Sequence, residues 1–307
     1  MKPATLIYNP VAGRNPSRRE QEIHEAVEIL RSTGINPKPA RTTGPGSATE
    51  LARAAIAGGD ELIIACGGDG TVNEVVNGMA LAQAALAILP GGTANIVANE
   101  LSLPHGPTRA APELFKWQPR RIALGLARDF SPAWGALAGN ACRYFLSVAG
   151  AGFDAYVIRK LTFDFKMALG VAAYVLEGMR QALHYSFPSL VCSTDGREIK
   201  ATFALIQRTS LYAGWFRTAP RQSITNSHFS LSLYPERGLR YFLYALAIMT
   251  EVQLRDVERM EARQLTLAPE KPGPPVYFEL DGELAGMLPA TFEVIPDALT
   301  LLMPSRL

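Results

Sequence analysis

Two glycine turns constrain this chain more than any other feature. The first is Gly67-Gly68-Asp69-Gly70-Thr71-Val72-Asn73-Glu74, which follows the apolar run 61–66. The second is Pro90-Gly91-Gly92-Thr93-Ala94-Asn95, which follows the run 86–89. A glycine cluster between a strand and a helix lets backbone approach a ligand and aim N–H groups at it. Asp69 adds a negative charge that a plain anion cradle would exclude. A metal ion or a proton transfer reconciles the two. Glycines alone would fit a tight connection, but Asp69 and Thr71 among them, followed by Asn73 and Glu74, favour a ligand site. Two of them on neighbouring strand ends point to a ligand site, because open α/β sheets bind ligands beyond the C-terminal ends of their strands.

The rhythm around these turns predicts a parallel sheet. Segments 5–8, 37–41, 61–66 and 86–89 read as strands, and 17–31, 48–57, 72–81 and 96–101 as helices. Alternation of this kind is the pattern of an α/β layer. Asn9-Pro10-Val11-Ala12-Gly13 ends the first strand as a turn. Ser17 and Glu20 have capping-box spacing, and Ser47 stands where an N-cap belongs. Past 104–119 the pattern changes to strands at 121–127, 142–149, 202–208, 229–234, 264–267, 276–280 and 290–295. Helical stretches at 155–185 and 239–250 interrupt them. The expected architecture is an α/β unit over 1–120 and an antiparallel β unit with inserted helices over 121–295.

Composition narrows the function classes. A chain of 307 residues, 48% hydrophobic and 19% charged, supports two cores. A net charge of +2 gives no footing for nucleic acid, and the pairs Arg18-Arg19 and Arg120-Arg121 read as solvated surface. Cys66, Cys142 and Cys192 form no C-x-x-C pair and no even disulfide set, which fits a reducing cytoplasm. No secretion signal is read at the N-terminus. The longest apolar run, 241–249, is roughly half the ~20 residues that span a bilayer. No Gly precedes a Lys, so no Walker A loop is present. The four histidines show no metal spacing.

Two further motifs carry alternatives. Glu279-Leu280-Asp281-Gly282-Glu283 holds the Asp-Gly signal of a hairpin turn. Its carboxylates could equally supply a general base and a metal ligand. Gly150-Ala151-Gly152-Phe153-Asp154-Ala155 fits G-x-G-x-x-A, with Glu177 at a ribose-contact distance. It lacks a preceding βαβ partner, so Phe153 and Asp154 are read instead as lining a cleft.

Taken together, GGDGTVNEVVNG (67–78), PGGTAN (90–95), AGAGFDA (149–155) and ELDGE (279–283) resemble the diacylglycerol kinase catalytic-domain family. That family includes bacterial lipid kinases and the sphingosine and ceramide kinases. The motif order agrees along nearly the whole chain, whereas GGDGT alone is shared with NAD kinases and phosphofructokinase-like folds. The resemblance implies an NAD kinase/phosphofructokinase-like nucleotide domain, joined again by 296–307, and a C-terminal β-sandwich presenting lipid across a cleft. ATP contacts would fall on Asn9, Pro10, Val11, Ala12, Gly13 and Thr42. They would continue on Gly67, Gly68, Asp69, Gly70, Thr71, Val72, Asn73 and Glu74, and on Gly92, Thr93 and Asn95. Phe153 and Asp154 would meet the lipid. Glu283 is favoured as the proton acceptor, with Asp281 and Asp69 beside the Mg²⁺–ATP network and Asp69 as the rival base.

The implied reaction is transfer of the ATP γ-phosphate to a lipid hydroxyl such as that of diacylglycerol, a step of phospholipid metabolism. A sphingoid base, a ceramide or a polyprenol is an alternative acceptor. A soluble acceptor in the manner of NAD kinase, or a silent lipid- or nucleotide-binding module, completes the alternatives. Many bacterial relatives hold a structural Mg²⁺ with acids in a Pro-Asp-Ala…Asp-Asp-Gly stretch. Here Tyr212-Ala213-Gly214-Trp215, Ala219-Pro220-Arg221 and Thr225-Asn226-Ser227 stand instead, and the acids are missing. The resemblance also implies a cytoplasmic, peripherally membrane-associated protein and leaves room for a homodimer. The mixed apolar and basic stretch 155–185, with 241–249, is the expected lipid entrance or membrane contact.

Overall fold

The computed structural model describes residues 2–13, 16–129, 142–160, 178, 180, 181, 185–235, 240–252 and 254–305. The chain divides into two units, Met1–Leu124 with Pro296–Leu307, and Gly125–Ile295.

The first unit runs β1 (Lys2–Tyr8), α1 (Pro16–Ser32), β2 (Ile35–Arg41), α2 (Ser47–Ala57), β3 (Leu62–Gly67), α3 (Asp69–Met79), β4 (Ala85–Pro90), α4 (Ile96–Glu100) and α5 (Pro107–Ala110). The strands lie in the order β2-β1-β3-β4, all parallel. β3 is buried along its whole length. A parallel strand covered on both faces has no solvent side, so its sequence reads as a continuous apolar run. Helix α1 buries Ile23, Ala26, Val27 and Leu30, a helical stripe at i, i+3, i+4 and i+7. Gly78 lets α3 lie against α2, since a Cβ there would come within 2.5 Å of the Thr49 carbonyl oxygen.

Two expected caps are replaced by contacts from further away. The N-cap of α2 is Gly46, and the Glu74 carboxylate of α3 accepts the N–H groups of Gly46 and Ala48 at 2.8 and 3.0 Å. Ser47 accepts from Thr43 and Gly44 in the preceding loop. Glu20 accepts the Tyr8 hydroxyl at 2.7 Å, from a strand rather than from its own helix end.

Strand β5 (Gln118–Asp129) runs from the first unit into the second, which continues through β6 (Cys142–Phe145), β7 (Val148–Gly152), α6 (Phe153–Lys160), β8 (Leu190–Thr194), β9 (Arg197–Ala201) and β10 (Phe203–Gln207). Then come β11 (Leu211–Tyr212), β12 (Phe216–Arg217), β13 (Phe229–Tyr234), α7 (Tyr241–Met249), β14 (Glu258–Ala262), β15 (Gln264–Pro269), β16 (Tyr277–Leu280), β17 (Glu283–Met287) and β18 (Ala290–Met303). One sheet has the order β14-β13-β10-β7-β16-β17 and is antiparallel throughout. Facing it, residues 290–293 of β18 pair with β15, then β8 and β9, also antiparallel. Ala204, Ile206, Leu231 and Phe278 from the first sheet share one core with Cys192, Leu265, Leu267 and Phe292 from the second. That shared core makes the unit a β-sandwich.

The outer face of the first sheet is covered by α6 and α7. Phe203, Leu205 and Tyr234 pack there with Phe153, Val157, Tyr241 and Tyr244. Alternate residues of β10 therefore enter two different cores, and all five are buried. The last part of β18 belongs to the first unit, where Thr300 and Leu301 pair in parallel with Ala85 and Leu86 of β4. The expected strand 142–149 is two strands, β6 and β7, with a bend at Leu146-Ser147. Of the expected helix 155–185, α6 accounts for the start. Phe163, Phe165, Lys166, Met167, Leu169 and Glu177 lie outside the described residues.

Candidate active site

The three turns after β1, β3 and β4 lock into one another. Asn9 anchors the first: its side-chain oxygen accepts the Val11 N–H at 3.0 Å, and its amide donates to the Thr71 hydroxyl at 3.3 Å. Gly91 donates its N–H to the Gly67 carbonyl at 2.9 Å. A Cβ at Gly92 would lie 2.3 Å from the Gly68 Cα, and one at Gly67 would lie 2.6 Å from the Thr71 side chain. The glycines are thus required first by turn-on-turn packing. Gly68 is extended, with φ −86° and ψ −176°, so a left-handed backbone is not the reason for it.

Asp69 opens α3 and reaches across to the next turn, accepting the Ile96 N–H at 2.7 Å, where α4 begins. The acid inside the first turn therefore fixes the second. Asn95 closes that second turn on Gly92, accepting its N–H at 2.9 Å and donating to its carbonyl at 2.8 Å. Thr93 stands exposed at the tip. Helix α3 starts with no side-chain cap, and Gly68, Asp69 and Gly70 are half-buried. A helix N-terminus presented this way attracts anions.

Arg19 completes the network, although its sequence neighbourhood reads as solvated surface. It is buried, and its guanidinium donates to the carbonyls of Ala12 at 3.0 Å and Gly91 at 2.7 Å. The same side chain lies 2.9 Å from Glu22. Gly13, with φ +80°, lets the first turn pass over it; a Cβ there would meet the Gly91 oxygen at 2.6 Å. Among the remaining candidates, Thr42 donates its N–H to Tyr8 at 2.9 Å and is buried. Asn73 is buried and accepts from Asn77, and the Glu74 carboxylate is committed to α2. Pro10 and Val11 lie in the first turn, with Val11 exposed, and Val72 is in the core.

In the second unit the acids of the turn 279–283 divide their work. Asp281 is buried at φ +50° and accepts four hydrogen bonds: from the N–H groups of Leu146, Ser147 and Val148 and from the Ser147 hydroxyl, at 2.7–3.0 Å. This carboxylate makes the bend that separates β6 from β7. Glu283 is half-exposed and accepts from Arg143 at 2.7 Å. Glu279 is buried and accepts the Gly282 N–H at 2.7 Å, holding the turn from beneath.

Asp154 converges on Glu279. A Cβ at Gly150 would lie 2.4 Å from Asp154 Oδ2 and 2.8 Å from Glu279 Oε1, so the glycine makes room for two carboxyls. Burial pushes Asp154 up to about 7, against a Tyr212 hydrogen bond that lowers it. Burial first, and the Asp154 charge second, push Glu279 well above the usual carboxylate range. Phe153 is buried in the aromatic cluster under α6, stacked on Phe187 at 5.2 Å.

Metal fit follows from the donor chemistry. Among the described residues, no three of His, Cys, Asp and Glu gather for a metal. Mg²⁺ commonly takes one or two carboxylates plus substrate phosphates, and Asp69, half-buried beside an uncapped helix start, suits that arrangement. Asp281 has both carboxyl oxygens engaged by donors of the bend between β6 and β7. In the stretch where the family's structural Mg²⁺ acids are missing, a cation is nevertheless present. The buried guanidinium of Arg208 donates to the carbonyls of Ile224, Asn226 and His228 at 2.6–3.0 Å. Burial lowers its pKa to about 10, which leaves it charged at neutral pH.

Residues 3–127 match the diacylglycerol kinase catalytic domain, and residues 147–303 match the YegS C-terminal NAD kinase beta sandwich-like domain. A diacylglycerol kinase of Bacillus subtilis (strain 168) is 27% identical over 315 residues, covering 100% of this chain and 98% of its own. A YegS-like lipid kinase of Chromohalobacter salexigens is 38% identical over 214 residues, 68% of this chain and 63% of its own. The fold matches the crystal structure of a diacylglycerol kinase from Bacillus anthracis str. Sterne with a TM-score of 0.78 at 21% identity, covering 99% of this chain and 97% of that one.

Proposed function

The chain belongs to the diacylglycerol kinase family, and from that premise we propose that it transfers the γ-phosphate of ATP to a lipid hydroxyl, with diacylglycerol as the lead acceptor. The interlocked turns carry this reading. Packing Gly67-Gly68 against Gly91-Gly92 holds an uncapped helix start and Asp69 in fixed relation, a preorganised cradle for a triphosphate. Arg19 and Asn9 hold that cradle rigid from behind, so little ordering remains to be done when nucleotide binds.

Phosphoryl transfer asks a protein mainly for positioning and charge neutralisation. Mg²⁺ carried on the nucleotide, beside Asp69, would supply neutralisation at the phosphates. The acceptor hydroxyl gives its proton to a carboxylate as its oxygen bonds to the γ-phosphorus; the bond from that phosphorus to the β–γ bridging oxygen breaks, and ADP leaves. We assign the proton to Glu283, whose half-exposed carboxylate is oriented by Arg143. Asp281 holds the turn on which Glu283 stands, and Asp69 is the rival acceptor. Among the described residues no helix is long and apolar enough to cross a membrane. A long-chain lipid acceptor resides in a bilayer and would be met at its surface.

The test is phosphate transfer from radiolabelled ATP to diacylglycerol, sphingosine, ceramide, undecaprenol and NAD, presented separately. Diacylglycerol should be labelled, and Glu283→Gln should lower the rate by about 10²–10⁴-fold with unchanged thermal stability. Labelling of NAD alone, or full activity in the variant, would overturn the assignment.

A further inference from the structure

Helix α7 carries an apolar stripe on its solvent side. Leu243, Leu246 and Met249 recur at every third position and are 57%, 56% and 50% exposed. Val252, just beyond the helix, is 55% exposed. The opposite side of the same helix is satisfied: Tyr241, Tyr244 and Ala247 are buried, and the Tyr244 hydroxyl donates to Asp256 at 2.9 Å. The helix is therefore docked in its own unit and still presents large side chains outward. Soluble helices normally place polar residues on that face.

Nearby groups extend the stripe in a consistent way. The hairpin β11–β12 packs beside the end of α7, where the Arg217 N–H donates to Glu251 at 3.3 Å. At its tip, Ala213 and Gly214 take positive φ, and Trp215 is 56% exposed. Arginines are exposed on the neighbouring chain: Arg240 immediately before the helix, Arg255 three residues after Val252, Arg217 on the hairpin beside Glu251, and Arg221 in the loop that follows. Glu251 and Asp256, exposed on the same part of the chain, are the groups that accept from Arg217 and Tyr244. Leucine, methionine and tryptophan with arginines on the neighbouring chain suit insertion at the boundary of acyl chains and anionic headgroups.

We propose that the outward face of α7, with Trp215 and Val252, is the surface by which this protein seats on an anionic phospholipid bilayer. The stripe enters the acyl boundary, and Arg240, Arg255, Arg217 and Arg221 meet the phosphates. This rests on the lipid-kinase reading for its purpose, since a bilayer is where a long-chain acceptor resides. Its physical content is independent of catalysis.

The experiment is co-sedimentation of the full chain with vesicles of phosphatidylcholine and phosphatidylglycerol, alongside kinase assays. Leu243→Glu with Leu246→Glu should lower the vesicle-bound fraction at least about tenfold, and Arg240→Glu with Arg255→Glu should weaken binding mainly at low salt. Both variants should keep wild-type melting temperatures and wild-type turnover of a short-chain, water-dispersed diacylglycerol. Unchanged vesicle binding in both variants overturns the proposal. So does a change from dimer to monomer by light scattering with vesicle binding intact, which would make the face a contact between copies. Wild-type vesicle binding without labelling of any lipid would remove the kinase reading and leave the surface standing.

Discussion

Asp69 and Asp281 each stand next to glycine in a turn at the end of a buried strand, and the two units use them in opposite ways. Asp69 is half-buried, starts a helix, and fixes a neighbouring turn through the Ile96 N–H. Asp281 is 4% exposed and collects four donors around one bend. In the first unit the acid starts a helix and ties a second turn. In the second unit the work is divided, with Asp281 and Glu279 holding the turn and Glu283 presented at its edge, paired with Arg143. The proton acceptor proposed above would need rigid support from groups that do not themselves react, and Asp281 and Glu279 could supply it.

The comparison breaks most readily at Asp281. Asp281→Ala leaves the N–H groups of Leu146, Ser147 and Val148 without their acceptor in a buried bend. Urea unfolding should show a loss of about 3 kcal/mol or more. Asp69→Ala removes a helix-start contact and should cost only about 1 kcal/mol, while abolishing most phosphate transfer. If the two stabilities fell equally, the division of labour would be wrong.

A smaller effect is expected at the turn packing. Gly92→Ala places a methyl 2.3 Å from the Gly68 Cα, backbone against backbone. The turns must part, at about 1–3 kcal/mol, and ATP affinity measured by calorimetry should fall more than lipid binding does. Equal loss of both would show that the cradle is not specific to nucleotide.

The smallest effect concerns Asp154 and Glu279. Both native pKa values lie above those of the unfolded chain, so the native state binds more protons; for Asp154 the window runs from about pH 4 to about pH 7, and Glu279 acts in the same direction. The Asp154 contribution is therefore most favourable at low pH and is lost as pH rises through that window. Asp154→Asn should flatten the fall in melting temperature between about pH 5 and about pH 8 relative to wild type. An unchanged difference would mean that the pair does not titrate there.

What could be read in the sequence was local. The glycine turns announce themselves because strand, turn and helix signals are contiguous, and β13 is bounded as its alternation predicts, at Phe229–Tyr234. Contacts made at a distance left no such signal. Arg19 reads as surface because its acceptor Gly91 lies in another turn, and the bend at Leu146-Ser147 is imposed by Asp281. The strands β8, β9, β14 and β17 also escaped the strand pattern. β9 and β14 are rich in charge, and most of their residues are exposed or only partly buried, so no clean alternation marks them. Arg208 could not be foreseen as a cation for its loop, because only folding brings the three carbonyls to one guanidinium.

The long strand β18 has a consequence for the order of synthesis. Among the described residues, β4, which carries the second glycine turn, gains its outer neighbour from Thr300 and Leu301. Leu81 likewise donates to the Ala298 carbonyl at 2.8 Å, and Arg121 to the Asp297 carbonyl. A ribosome delivers residues 1–124 long before these partners emerge, so the first unit waits with an open sheet edge while the second is made. Unpaired edges of that kind attract other strands. The first unit thus completes its sheet only after most of the second has been made, and a chain stalled before residue 300 would hold its glycine turns on an unfinished sheet.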